Sequence, residues 1–404
     1  MRPLIDDLWQ ATRRLGQRPA LTLVACATLA LGLGANIAIY TLVCAVSSQP
    51  LPVSAPSELY RLGDDDNCCV NSGMQSRYSL FSYPLYSHLR DQIQEFTSLA
   101  SFQASLQDMS VRPEGGSVSL SASSDYVSGN YFDTLGVAPA LGRLLKADDD
   151  DPARPAVFVM SYRVWRDQFG ADPALIGQTF VVGGTGMTLV GVSEERFFGE
   201  TRSPEPPGLF LPLGIERQVR GASSMIDREA QDWLRIIGRL PDGGRVEATQ
   251  AQADAALRQW LGDHLATTEE ERAALPATTT PIVSASAGVE TLRMVFEQPL
   301  TILFVMSGLV LLIAAANLAN LMIAHTDRVQ TAIRVALGAP RARLVRQALV
   351  EVTVLSLTGA AVGIVVASMA TRSILALVFP DAVGLPVDVT PSAAVLRLPQ
   401  DLRW

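Results

Sequence analysis

Residues 329–347 read VQTAIRVALGAPRARLVRQ, and this stretch decides how the rest of the chain is laid out. Val329, Ala332, Ile333, Ala336 and Leu337 recur at i, i+3, i+4, i+7 and i+8, one face of a helix. Arg334 lies off that face. Gly338 suits the left-handed turn that ends a helix, and Pro340 suits the first turn of the next. A short amphipathic helix is therefore expected between two apolar runs, on the side where arginines collect. Such a helix either rests on the bilayer surface or offers its apolar face to a partner protein.

Outward from it lie the apolar runs. Pro299 to Ala324 has no charged residue and carries Asn317 and Asn320, which in a bilayer need interhelical hydrogen bonds or water. Val352 to Thr371 is also free of charge, and its Gly359 and Gly363 form a G-x-x-x-G that permits close helix approach. Glu351 and Arg372 bracket that run, where charged ends reach the interface. Near the amino terminus, Ala20 to Ser48 is charge-free, long enough to cross about 30 Å of hydrocarbon with some tilt. A cleaved signal peptide would have a much shorter apolar region, so a retained span is expected. Ahead of it, Leu4, Ile5, Leu8, Thr12 and Leu15 share a helical face beside Trp9, which suits a helix lying in the membrane interface.

Three spans follow, and the arginines orient them. Arg13, Arg14 and Arg18 precede the first span, and Arg328 to Arg346 separate the second from the third. Both segments are short and adjoin spans, so both are expected in the cytoplasm. The long polar stretch 49–297 is then outside. The expected divisions are an interfacial helix (1–18), a span (19–48), an outer domain (49–297), a span (298–325), a cytoplasmic segment (326–346), a span (347–379) and an outer tail (380–404).

The outer domain mixes both periodicities. Ser82–Phe96, Tyr162–Phe169 and Val246–Leu261 read as helices. Thr179–Val182 and Met187–Val192 flank Gly183-Gly184-Thr185-Gly186, a hairpin signal, and Trp233–Leu240 reads as a strand. The fold class is thus a membrane protein with an α-helical part of three spans and a large α+β outer domain of two lobes, the second inserted at about 137–220.

Composition excludes several functions. Hydrophobic residues are 48%, charged residues 18%, and the mean hydropathy is positive, the balance of a membrane protein with a large wet part. A net charge of −8 argues against nucleic-acid binding. Lys146 is the single lysine, within LKADDDD, so the chain carries no phosphate-binding G-x-x-x-x-G-K-[ST]. No H-E-x-x-H or G-x-S-x-G occurs, and His88, His264 and His325 are scattered, with His88 expected on a helix surface. No catalytic residue, cofactor or metal site is expected. Asp64–Asp66 and Asp148–Asp151 lack the alternating ligands of a calcium loop and read as solvated turns. Cys26 and Cys44 lie within the first apolar run; the adjacent Cys68 and Cys69 lack zinc spacing, and a vicinal disulfide is the alternative to free thiols. No span has a charge at its centre, which argues against a proton- or ion-coupled carrier.

Several stretches, in order, resemble the permease of MacB/FtsX-type ABC systems. They are LTLVACATLALGLGANIAIYTLVCAV (21–46) followed by Pro50-Leu51-Pro52, VSGNYFDTLGVAPALGRLL (127–145), VMSYRVWRDQFGADPALIGQTF (159–180) and NLANLMIAHTDRVQTAIRVALGA (317–339). They are most similar to the duplicated orphan permeases, whose genes lack an adjoining ATPase. The resemblance implies a multi-pass protein of the bacterial cytoplasmic (inner) membrane with a periplasmic core domain. It also implies a separate ABC ATPase that contacts Val329, Ile333, Arg334, Leu337 and Gly338, and pairing with a second copy or another permease. Membrane lipid is the remaining partner. Gln330 and Thr331 stand where the family usually has a glutamate and an aliphatic residue. The family's unit has four spans, whereas DAVGLPVDVTPSAAVLRLPQDLRW after Pro380 is too short and polar to cross, so a truncated or degenerate permease is expected.

Two functions compete at this point. One is a permease-like subunit of an efflux or mechanotransmission complex driven by a separate ATPase. The other is a non-transporting, membrane-anchored periplasmic binding or scaffold protein. The intact core stretches favour the first, the altered coupling segment the second.

Overall fold

The protein was analysed as a computed structural model that describes residues 9, 13, 16–17, 19–47, 50–64, 69–201, 205–241, 243–289, 302–303, 305–313, 315–316, 319–320 and 341–378. The chain divides into two units. One comprises residues 1–48, 293–383 and 387–404; the other comprises 49–292 with 384–386.

The first unit is helical. Helix α1 (Pro19–Ser47) contains no charged residue. Most of residues 302–320 are helical as well. The third long helix spans Arg341–Val378, 38 residues. At about 1.5 Å per residue it far exceeds the ~30 Å hydrocarbon thickness, so its arginine-rich start extends beyond the apolar window. Among the described residues, this helix is the one long and apolar enough to cross a bilayer, through Val352–Met369 with a mean hydropathy of 2.0; Thr22–Ile37 is a shorter apolar stretch. Near the amino terminus, the guanidinium of Arg13 lies 5.3 Å from the ring centre of Trp9.

The second unit is α+β. Its strands are β1 (Leu59–Leu62), β2 (Asn71–Ser72), β3 (Ser98–Gln103), β4 (Gln107–Pro113), β5 (Leu120–Val127), β6 (Pro139–Gly142) and β7 (Val157–Met160). They continue with β8 (Thr179–Val182), β9 (Thr185–Ser193), β10 (Leu209–Pro212), β11 (Gln231–Asp232), β12 (Leu234–Arg239) and β13 (Ile282–Ser284). Among the described residues, β2 and β11 pair apart from the rest, and the other strands form one sheet in the order β10-β7-β9-β8-β4-β5-β3-β12-β1-β13, with β6 on β9. Because β10 also pairs parallel with β5, the six strands β5, β4, β8, β9, β7 and β10 close into a ring. Alternation explains the ring: Phe180 and Val182, Met187 and Leu189, Met109 and Val111 all turn inward. The β8–β9 hairpin turns on Gly183 and Gly184, both with positive φ, as a two-residue loop with right-handed strand twist requires. Thr185 and Gly186, expected in the turn, already pair with Val182 and Val181.

Beyond the ring, β3, β12, β1 and β13 run on as an open sheet. On one face lie α2 (Tyr83–Gln92) and α6 (Val246–His264), which bury Leu85, Tyr86 and Leu89 and Ala253, Leu257 and Trp260 against it. Ser82 caps α2, its hydroxyl accepting from the amide of Leu85, and stops the expected helix from starting earlier. Helix α6 keeps its apolar residues at i, i+4 and i+7. On the opposite face sits a short helix, α3 (Tyr131–Leu135), in a core rich in phenylalanine: Phe102, Phe132, Phe197, Phe198 and Phe210. Helix α4 (Tyr162–Phe169) covers part of the ring, begins at the Ser161 cap and ends at Gly170 with φ +67°. Helix α5 (Glu216–Arg220) follows β10, and α7 (Glu269–Ala274) carries a Thr268/Glu271 capping box. The last long helix, Arg341–Val378, is α8.

Cys69 is disulfide-bonded and has a positive φ, whereas Cys26 is free.

Candidate functional site

Helices α1 and α8 meet along small residues. Ala25 and Leu29 of α1 pack on Leu355 of α8. One turn on, the backbones themselves touch: a Cβ on Gly34 would stand 2.9 Å from the carbonyl oxygen of Gly363, and a Cβ on Gly363 would stand 3.0 Å from that of Ala30. A Cβ on Gly359 would lie 2.9 Å from Cβ of Leu29. Gly359 and Gly363 of α8 and Ala30 and Gly34 of α1, each pair four residues apart, thus lie at this contact. The sequence signal for the second pair is the same four-residue step in LALGLGAN (29–36). Close backbone approach supplies van der Waals contact where lipid offers helices no hydrophobic drive. The Sγ of Cys26 and the Oγ1 of Thr358 add a polar contact at 3.5 Å.

Gly32 turns to another side of α1, where a Cβ would be 2.7 Å from Cδ1 of Leu311. Helix α1 is thus held by glycines on two sides, towards α8 and towards residues 305–313. Leu23 and Leu31 of α1, and Leu357, Val365 and Met369 of α8, point away and are exposed, an apolar surface suited to lipid.

Asn320 is helical and exposed. Asn317, Val329, Ile333, Arg334, Leu337 and Gly338 lie outside the described residues.

In the second unit, hydrogen bonds tie down both segments that lead to the helices of the first unit. Arg239, at the end of β12, donates from Nε to the Thr134 carbonyl at 3.1 Å and from its two terminal nitrogens to the carbonyls of Ser54, Ala55 and Leu135. It also meets Glu58 at 2.8 Å. One guanidinium thus joins the segment after α1 to the last carbonyls of α3, groups that no helix can satisfy internally. On the outgoing side, Leu51 N–H donates to Ser286 at 2.8 Å and Val289 N–H to Glu200 at 2.8 Å.

The acidic groups are structural to a greater degree than their sequence suggests. In the run read as a solvated turn, Asp149 pairs with Arg143 at 2.7 Å and Asp148 with Arg154 at 3.0 Å. Asp150 is instead turned inward, accepting from Gly129 N–H at 2.6 Å and Gly214 N–H at 3.3 Å, and burial pushes it up to about 6. Asp232, buried at the end of β11, accepts from Gln75 at 2.9 Å, and burial pushes it up to about 7. Arg220 is wedged between the rings of Tyr126 and Trp233, at 5.1 and 5.0 Å from their centres, and bonds Gln103 and the buried Glu216. His88 is half-buried, with Nε2 enclosed, rather than on a helix surface. His264 stacks on Trp260 and meets Glu229 at 2.9 Å. Among the described residues no cluster of three or more metal-ligating side chains occurs.

Comparison with known proteins gives this arrangement a family. The MacB-like periplasmic core domain matches residues 22–256, and the FtsX-like permease C-terminal domain matches residues 304–397. The macrolide export ATP-binding/permease protein MacB of Salmonella typhi is 26% identical over 263 residues, covering 63% of this chain and 36% of the relative. The MacB protein of Salmonella typhimurium is 25% identical over the same length, with the same coverage. The match thus takes in little more than a third of these relatives' length, 36%. Among solved structures, the periplasmic region of MacB from Actinobacillus actinomycetemcomitans is 15% identical with a TM-score of 0.37, covering 60% of this chain and 94% of that one. The extracellular domain of the noncanonic ABC-type transporter YknZ from Gram-positive bacteria is 11% identical with a TM-score of 0.36, covering 50% and 95%. With the core-domain match over more than half of its length and the permease match behind it, the chain belongs to the MacB/FtsX-type ABC permease family.

Proposed function

We propose that the chain is the permease-like subunit of an ABC efflux or mechanotransmission complex in the bacterial cytoplasmic membrane, driven by a separate ATPase. The observation that carries this reading is the order of the two matches on one chain, core domain at 22–256 and permease region at 304–397. The glycine seam between α1 and α8 agrees with it, since it joins a helix at the start of the first match to one inside the second. In this reading three spans cross the membrane with the amino terminus inside, and 49–297 is periplasmic. The open sheet with its helices acts as one lobe, and the second is the strand ring, in which β4 and β5 join the strands of the insert at about 137–220.

Val329, Ile333, Leu337 and Gly338 form the face that meets the ATPase, with Arg334 beside it. Asn317 and Asn320 bond neighbouring helices, and the subunit pairs with a second copy or another permease. Motion of the spans reaches the outer domain through the segments held by Arg239 and Leu51, so no pore through the spans is required.

The test is a double change, Ile333→Asp with Leu337→Asp, in a strain that supplies the ATPase. Each buried side chain of this kind contributes about 1.5–3 kcal/mol, so association with the ATPase should be lost while membrane insertion persists. Poor insertion irrespective of the ATPase would mean that the face lies on lipid or on the chain's own spans.

A further inference from the structure

Two carboxyls are shut inside the core beside α3, and the permease reading uses neither. Glu200 and Asp125 are both buried. Glu200 Oε2 accepts from the hydroxyl of Tyr131, and Oε1 accepts from Thr201 Oγ1 at 2.8 Å. Asp125, on β5, takes the amide of Gln103 on Oδ1 at 3.2 Å, while Oδ2 is enclosed with no hydrogen bond. The Tyr131 ring, whose hydroxyl reaches Glu200, is packed by Phe102, Phe132, Phe197 and Phe210 at 5.2–6.3 Å. The charged or titratable groups facing the pair are thus Tyr131 from α3, the carboxyls on each other, and Arg235 from β12, which favours the charged form of Glu200. Burial raises both carboxyls, and Glu200 raises Asp125 further. Two like charges in one dry site cannot both persist.

The backbone at Glu200 does a second job. Its carbonyl accepts from Val289 N–H at 2.8 Å, and Thr201 bridges to Val289. Gly288, with φ +89°, comes so near that a Cβ would stand 2.5 Å from that carbonyl oxygen and 3.0 Å from Leu51. The outgoing segment is therefore seated on the residue whose side chain enters the acid pair, three residues before the second unit ends at Leu292.

We propose that the protonated Asp125–Glu200 pair is a clasp on the outgoing segment Gly288–Val289. While the pair holds a proton, Glu200 stays seated and the segment stays fastened. When both carboxyls ionise, the turn at 199–201 leaves the core and lets the segment go. The outer domain then carries a proton-operated release at one of its two connections to the membrane helices. The clasp does not depend on an ATPase or on transport.

Hydrogen exchange of the full chain in lipid nanodiscs, from mildly acidic to mildly alkaline pH, tests it. After correction for the base-catalysed intrinsic rate, protection at Val289 should fall about tenfold per pH unit above the transition, the slope of one linked proton. Asp125→Asn removes the neighbouring charge but leaves Glu200 and its bonds, so protection should persist to higher pH. Glu200→Gln should flatten the pH dependence. The infrared difference between the wild type and Asp125→Asn should show the loss of one protonated, buried carboxyl, over the bands of Asp150 and Asp232 that both proteins keep. If Glu200→Gln loses protection at every pH, Asp125→Asn decides. A Val289 profile in Asp125→Asn indistinguishable from the wild type would overturn the clasp, as would protection that ignores pH in the unaltered chain.

Discussion

Gly34 and Gly363 bring the backbones of α1 and α8 together: no Cβ fits on Gly34, because it would stand 2.9 Å from the Gly363 carbonyl oxygen. A side chain here must push the helices apart, and overpacking of this kind costs about 1–3 kcal/mol. The free thiol of Cys26 reports on the seam, since it lies 3.5 Å from Thr358 Oγ1. Thr358→Cys should form a disulfide with Cys26 under mild oxidation. Adding Gly34→Leu should slow that bond at least severalfold, and equal yields with and without it would show the seam to be wrong.

Arg239 should resist even conservative change. A lysine presents its donors from one point and cannot span the carbonyls of Ser54, Ala55, Thr134 and Leu135. Leaving such acceptors unpaired costs at least about 2 kcal/mol. For a unit of this size Arg239→Lys should lower the melting temperature by roughly 4–8 °C. The measurement is thermal unfolding of residues 50–292 expressed alone, which should melt cooperatively. A featureless melt of the wild-type segment would deny that it folds by itself.

Asp232 gives the outer domain a pH dependence with a definite sign. Burial moves its pKa from the ordinary 3.8 to about 7, so the folded state binds a proton that the unfolded chain has released. Its contribution is fully present below about pH 4 and is lost as pH rises through about 7. The wild-type domain should therefore lose stability across that window, by an amount on the order of 4 kcal/mol, while Asp232→Asn should remove most of the slope. Asp150, at about 6, acts in the same direction over a narrower range. Identical pH profiles for wild type and Asp232→Asn would contradict the assignment.

Legibility in the sequence followed the range of each interaction. Periodicity is local, so Tyr162–Phe169 was read to the residue and the β8–β9 hairpin to within its turn. Helix α6 runs to His264, three residues past the expected end and through Gly262, because stacking of His264 on Trp260 holds the last turn. Nothing in the spacing of Gly359 and Gly363 names Ala30 and Gly34 as the residues they meet, since that depends on which helices come together. Likewise the ring closure by β10 on β5 joins residues some 85 positions apart, Leu209 with Ser124. The buried carboxyls were invisible for a related reason: Asp125 and Glu200 lie some 75 positions apart, and only the fold buries both. A run of aspartates reads as solvated, and only the fold turns Asp150 alone inward.

The central claim is that motion enters this subunit from a separate ATPase through residues 329–338. A photocrosslinker at position 333, in membranes containing the subunit and a candidate ATPase, tests it most directly. The account predicts a crosslinked ATPase–permease adduct that Arg334→Glu weakens in a salt-sensitive way, because a rim charge acts mainly through screened attraction. Crosslinks confined to lipid or to the chain itself, with an ATPase that is present and active, would contradict it.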